Sequence, residues 1–310
     1  MKIGVVGTFN RDRILPWQGE ATDSIGGIFF TVSYLANLAA PDMEICPVAN
    51  VGADFYDTIT ARLAEYPNVC LEGLHKVERE NVLVKLVYTG PQERYEVTTD
   101  PMPALQFRDL KVVLDADLVL VNLITGSDVD LDALRAFRRA SDALLYLDFH
   151  SHALGIDPEG RRYYRRPDDW REWIECVDIL QMNEREARTL AGLPGDASND
   201  ALLDFGRQLV QMGPEVCHVT LAEEGSLLFY RENGAARYRK FPAMPVAEVV
   251  DIVGCGDAFA AGYVVHFLAS RDVFAATEFA IEVSAMNCTF IGSSGVKEIR
   301  RLLRQRLTEA

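Results

Sequence analysis

The segment 251-DIVGCGDAFAAGY-263 sets two glycines around a cysteine, follows them with an aspartate, and continues with small and apolar residues at helical spacing. Gly254 and Gly256 permit positive φ and the close approach of a ligand, and the run 258–268 reads as a buried helix. A bare loop ending at a helix N-terminus is an anion site, because the first N–H groups lack intrahelical partners and the helix dipole is positive there. Phosphate is the commonest such anion. Asp257 has two readings at that place, as a helix cap or as a base beside a phosphoryl group about to move. The residues alone leave both open.

Such a loop needs a scaffold, and the chain alternates strand and helix signals as a parallel sheet covered on both faces does. Strands are expected at 2–7, 44–51, 117–123, 143–148, 178–182 and 216–221. Helices are expected at 28–40, 55–65, 130–141, 184–191, 200–212, 257–270, 273–290 and 297–307. One region breaks the alternation: 81-NVLVKLVYTGPQERYEVTTD-100 has period-two apolar residues around a Gly-Pro turn, the mark of a hairpin. With residues 13–25 it is expected to form a small second sheet, a lid that covers a substrate or pairs with a second subunit in a homodimer. The expected organisation is one α/β domain over 1–310.

At 310 residues and 49% hydrophobic content the chain can bury a large core. Its formal charge of −15 argues against nucleic acid or an anionic membrane as partner. The six cysteines (46, 70, 176, 217, 255 and 288) show no CxxC pairing or metal spacing and read as reduced thiols of a cytoplasmic protein. The start MKIGVVG lacks the length and flanks of a signal peptide, and no apolar run reaches the roughly 18 residues a membrane span needs.

The residues together resemble the ribokinase-like, or PfkB, family of carbohydrate and nucleoside kinases over nearly the whole chain. DIVGCGD (251–257) is similar to the family's Asp-x-x-Gly-Ala-Gly-Asp signature. GTFNRD (7–12) is similar to the first-strand turn ending in a substrate-binding aspartate, and IGG (25–27) to the paired glycines under the sugar. NVGAD (50–54), NEREA (183–187) and VTLAEEG (219–225) match, in order, the V-G-x-D turn, the Asn-x-x-Glu motif and the Val-Thr-x-Gly-x-x-Gly loop. The resemblance implies a three-layer α/β/α sandwich with a mostly parallel central sheet and a small β lid.

It also implies roles. Asp257 would be the base that takes a sugar hydroxyl's proton, and the backbone N–H groups of Gly254, Cys255, Gly256 and Asp257 the anion hole. Asp12, Gly26, Gly27 and Thr31 would meet the sugar. Asn183, Glu186, Thr220, Gly225, Gly256, Ser284 and Asn287 would border ATP, with Glu186 acting on Mg²⁺ through water and Asp251 beside a K⁺ site that some members use. The residues' own readings differ: Asp12 as a turn residue, Asn183 and Glu186 as a helix cap.

Several positions depart from the family pattern. Thr31 stands where many members have asparagine, which removes one expected sugar contact. His150 and His152 in 148-DFHSH-152 replace an amide and a guanidinium, and a histidine lacks an arginine's permanent fork of donors. Ala222 replaces a glycine, and Glu223 brings negative charge near the triphosphate path. The basic run 161-RRYYRR-166 is an alternative source of the phosphate contact that the missing arginine would make, but it reads first as a solvated loop. The expected activity is ATP-dependent phosphorylation of a small sugar. A nucleoside is the alternative, since Phe29, Phe30, Tyr88 and Tyr95 suit stacking on a base, and a catalytically weak regulatory relative is another. A dinucleotide oxidoreductase fits poorly without G-x-G-x-x-G. A phosphorylated acceptor is disfavoured because residues 7–31 offer only Arg11 and Arg13.

Overall fold

Alternation along single strands builds two cores. Leu118 and Leu120 enter one, while Val119 and Val121 enter the other, so this strand is covered on both faces. The computed structural model describes residues 1–90 and 94–303. In chain order its strands are β1 (Lys2–Val6), β2 (Phe9–Leu15), β3 (Thr22–Gly27), β4 (Glu44–Gly52), β5 (Leu74–Val77), β6 (Leu83–Tyr88), β7 (Arg94–Thr98), β8 (Leu118–Asn122), β9 (Leu144–Asp148), β10 (Leu154–Ile156), β11 (Arg162–Tyr164), β12 (Ile179–Asn183), β13 (Val216–Thr220), β14 (Ser226–Glu232) and β15 (Ala235–Phe241). The helices are α1 (Phe29–Leu38), α2 (Tyr56–Leu63), α3 (Leu131–Ala140), α4 (Trp170–Glu175), α5 (Glu184–Ala191), α6 (Leu202–Met212), α7 (Cys255–Ser270) and α8 (Val273–Asn287).

The central sheet has nine strands in the order β15-β14-β13-β12-β9-β8-β1-β4-β5. It is parallel from β13 to β5 and ends in the antiparallel hairpin β14–β15. Helices α1, α2, α7 and α8 pack on one face and α3 to α6 on the other. The result is the expected three-layer α/β/α sandwich. No described helix is long and apolar enough to cross a membrane.

The second sheet has the order β3-β2-β6-β7. Residues 13–25 and 81–100 thus meet in one sheet, with β2 parallel to β6 and two antiparallel pairs outside them. The NVGAD turn fastens its root. Asp54 accepts the Asn81 N–H at 2.8 Å and pairs with Arg11 at 3.0 Å, while the Asn81 side chain bonds Gly52 N and Phe9 O at 3.0 and 2.8 Å.

Three expectations change. FNRDRIL is a strand of the lid, so Asp12 lies inside β2 and not in a turn after β1; its pairing with β3 and β6 places it there. Helix α7 begins at Cys255, two residues earlier than expected. The hairpin β14–β15 and the short pair β10–β11 were not expected. Of the C-terminal helix, residues 299–303 are helical and 304–307 lie outside the described residues, as does Pro91 of the Gly-Pro turn.

Candidate active site

One cleft of about 950 Å³ runs between the lid and the carboxyl edge of the central sheet, where open α/β sheets bind ligands. Asp12, Gly27, Asn183, Thr220, Gly225, Gly254, Cys255, Gly256, Asp257 and Ser284 all line it. Residues as far apart in the chain as Asp12 and Ser284 therefore share one surface.

At its centre is the start of α7. Gly254 occupies the N-cap with φ +83°, and a Cβ there would sit 2.8 Å from the Phe30 ring, so glycine is required twice over. Asp257 is the third residue of the helix, inside its first turn; the N-cap position belongs to Gly254 and not to Asp257. Its Oδ1 accepts from Thr31 Oγ1 at 2.5 Å and from Asn122 Nδ2 at 2.9 Å. Burial pushes its carboxyl up to about 6, and Thr31, its own backbone N–H and Asn122 hold it from going higher. The first intrahelical bond runs from Ala258 N to Gly254 O at 2.8 Å, so the Gly256 and Asp257 N–H groups precede it. Cys255 N already donates to Ile252 O at 3.3 Å.

The loop is braced from behind. Asn287 is fully buried and donates to Val253 O at 2.9 Å, while its Oδ1 accepts from Tyr34 at 2.5 Å. It does not line the cleft, and the adenine contact expected of it gives way to support of the loop. Ser284 donates to Cys255 O at 3.1 Å. Gln181 donates both to Gly256 O at 3.1 Å and to Asp148 Oδ2 at 3.3 Å.

At the lid end Asp12 lies against Gly26, where a Cβ would come within 1.8 Å of Asp12 Oδ2. Burial first, and Glu96 second, push Asp12 up to about 7. Thr31 is fully buried and gives its hydroxyl to Asp257, so it does not face the cleft. Asn10 lines the cleft and was missed in the sequence; its Oδ1 is buried with no partner among the described residues, an acceptor waiting for a donor.

The departures resolve unevenly. His152 turns away to Gly126 O at 2.9 Å and Asp169 at 3.0 Å. His150 lines the cleft with φ +36°, and burial pushes it down to about 4. In the basic run, Arg161, Arg165 and Arg166 are exposed as expected, but the Arg162 side chain is only 7% exposed and enters the cleft.

At the donor end Asn183 and Glu186 form a reciprocal capping box on α5. Glu186 accepts from Asn183 N at 2.9 Å and from its Nδ2 at 2.5 Å. The helix-cap reading of this pair is therefore correct as far as it goes. Burial pushes Glu186 up to about 8, and the nearby Asp148 is raised too, first by burial and then by Glu186. Among the described residues no three His, Cys, Asp or Glu side chains converge as a metal cage. Asp251 accepts Val253 N–H at 3.0 Å and Gly292 N–H at 2.9 Å and so ties two loops together.

The profile of the pfkB family carbohydrate kinase matches residues 47–299. This chain belongs to the PfkB family. It is similar to a cytidine kinase of Thermococcus kodakarensis, 32% identical over 284 residues and covering 86% of this chain and 88% of the relative. It is also similar to an ATP-dependent ribose-1-phosphate kinase of Halopiger xanaduensis, 28% identical with 90% and 87% coverage. Among solved structures, ribokinase from Giardia lamblia superposes with a TM-score of 0.80, 18% identity and 98% coverage of both chains. This PfkB chain is thus a kinase of the sugar and nucleoside class, with the ribokinase fold.

Proposed function

We propose that the protein moves the γ-phosphoryl group of ATP to a hydroxyl of a small sugar, with Asp257 as general base and the α7 N-terminus as anion hole. The single observation that carries this is the orientation of Asp257. Thr31 and Asn122 both occupy Oδ1, which leaves Oδ2 to accept the hydroxyl's proton beside the Gly256 and Asp257 amides. The sugar oxygen then bonds to the γ-phosphorus while the β–γ bridging oxygen leaves with ADP.

The donor end supports a nucleotide. Val246, Val249, Ile252, Ile281 and Ala285 line it and offer apolar contact to a base. Magnesium would be held beside Asp148, which lines the cleft, with the buried Glu186 behind it in the α5 capping box; both are carboxylates, the oxygen donors the ion prefers. When bound there, through water and with Asn183 nearby, the ion would screen the triphosphate. Asp251 and its loop are our candidate border of a K⁺ site, checked by comparing rates in potassium and sodium chloride. A cytoplasmic setting suits the six free cysteines.

The acceptor end favours a sugar over a nucleoside. Phe29 is buried in the core, Tyr88 bonds Arg94, and Tyr95 packs under Arg161, so of the four aromatics weighed for base stacking only Phe30 lines the cleft. A homodimer, if formed, would use the outer lid strand β3, much of which is exposed; sedimentation of the free protein checks this.

The test is Asp257→Asn, assayed for ADP release and for ATP binding. Turnover should fall roughly 10²–10⁴-fold with ATP binding and melting temperature retained. An active variant would remove Asp257 as the base.

A further inference from the structure

The acceptor end of the cleft carries charge that a neutral sugar does not need. Arg94 from lid strand β7 and Arg162 from β11 both line it, near Asp12 and His150. Their side chains are 29% and 7% exposed. Burying a guanidinium is costly unless it is paired, and Glu96 is the carboxylate that meets both, 3.1 Å from Arg162 and 3.9 Å from Arg94.

The two pairings are unequal. Arg162 is fixed on three sides, donating to Glu96 at 3.1 Å, Ser151 Oγ at 3.0 Å and Ile124 O at 3.1 Å. Arg94 donates to the Tyr88 hydroxyl at 3.0 Å but stands outside hydrogen-bond reach of Glu96. Most of its five-donor fork is uncommitted among the described residues. Arg11 and Arg13 are spent elsewhere, on Asp54 at 3.0 Å and Asp23 at 3.9 Å.

The neighbouring titratable groups do little to neutralise the two arginines at close range. Asp12, pushed up to about 7, carries only part of a negative charge near neutrality, and His150, pushed down to about 4, is uncharged. Glu96 is the carboxylate within 4 Å of both guanidiniums, and Asp251 acts on Arg94 from farther away.

We propose that Arg94 and Arg162 read an anionic substituent on the acceptor, so that the substrate is an acidic sugar bearing a phosphate monoester or a carboxylate. This rests on the sugar-kinase reading and narrows it. The Arg94 fork takes the anion bidentately, in a geometry a lysine cannot copy. Arg162, held by Ser151 and Ile124 of the body and by Glu96 of the lid, adds the second positive charge. Because Arg94 rides on the lid, the bound anion also draws the lid toward the body.

The experiment measures ADP release with free pentoses and hexoses, their monophosphates, the corresponding sugar acids, and nucleosides. One acidic class should exceed its neutral parent in kcat/KM, and which class does so separates phosphate from carboxylate. Arg94→Gln should cut that preference about 10- to 100-fold, the loss of charge-assisted hydrogen bonds, with Arg94→Lys recovering only part. A neutral sugar preferred over both acidic classes overturns the proposal and leaves the sugar-kinase reading intact. Nucleosides preferred over every sugar overturn both. Should Arg94→Gln not fold, the selectivity of the unaltered protein decides the matter alone.

Discussion

Replacing Thr31 by valine should move the acidic limb of the pH–rate profile to higher pH. Thr31 Oγ1 and Asn122 Nδ2 both donate to Asp257 Oδ1, and both favour the charged carboxylate, which burial otherwise disfavours. A hydrogen bond to a charged group is worth roughly 1.5–3 kcal/mol, and one pKa unit about 1.4 kcal/mol, so losing the Thr31 donor should raise Asp257 by about 1–2 units. The base works deprotonated, and activity is lost as pH falls through its pKa. From about 6 in the native protein, the limb should move to roughly 7–8. At pH 7 that costs roughly two- to tenfold in rate, with near-native turnover by about pH 9.

The assay is kcat from pH 5.5 to 9.5 under saturating substrate. Saturation matters because Asp12, pushed up to about 7, titrates in the same window in the free protein, whereas kcat reports the complex in which the substrate covers Asp12. The other ionisable groups within electrostatic range of Asp257 are Asp148 and Tyr34, both shifted upward. Thr31→Ser keeps the hydroxyl and should keep the limb in place. A valine variant that is slow at every pH, with its limb unmoved, would reduce Thr31 to a packing residue and refute the reasoning.

Gly26→Ala should raise KM for the acceptor while sparing ATP binding, since its Cβ would occupy the place of Asp12 Oδ2; isothermal titration with each ligand separates the two. Glu186→Gln should raise the magnesium concentration needed for half-maximal rate and, by weakening the capping box, lower stability by about 1 kcal/mol. An unchanged magnesium titration would leave Glu186 as a cap only. The ligand-free protein should melt at lower temperature as pH rises from about 5 to about 8.5. Asp257, Asp12 and Glu186, at about 6, 7 and 8, bind protons more tightly folded than unfolded, so the stability present below the unfolded values is lost as pH passes through the folded ones. Magnesium should restore part of it at the upper end, and a flat melting profile would contradict the shifts.

Local signals made the donor half of the site readable in the sequence. The α7 loop, the α5 cap and the β13 turn each keep their chemistry within a few consecutive residues, and glycine spacing or a capping box announces each one. The acceptor half was readable only in part. Asp12 was found, but its place in β2 was not, because the polar run Asn10–Arg13 carries no strand alternation and its pairing with β3 and β6 is set by tertiary contacts. Arg162 looked like one more solvated arginine in RRYYRR; its burial depends on Glu96, Ser151 and Ile124, which come from three distant segments. Asn122 gave no signal beyond ending an apolar strand, and its bond to Asp257 spans 135 positions. Pair contacts of this kind exist only once the sheet has brought the strand ends together.

The departure at Thr31 then acquires a physical sense. Where many family members have an asparagine, this chain has a hydroxyl that is fully buried and bonded to the base. The contact withdrawn from the sugar can be supplied by Asn10, whose Oδ1 lacks a partner, and by Asp12, both on lid strand β2. On the proposed reading recognition would lie with the lid, while the groups that set the basicity of Asp257 stay on α1 and β8 of the body. With the acceptor absent, Asp257 remains exposed to water on its open side; with it bound, the lid residues that hold the sugar also exclude that water. On this arrangement a poorly matched acceptor fails by leaving the lid undocked, before the base is ever engaged. Specificity should consequently appear in variants of β2 and β7 as losses in both KM and kcat, whereas variants at Thr31 and Asn122 should alter the pH dependence of kcat and leave the ranking of acceptors unchanged.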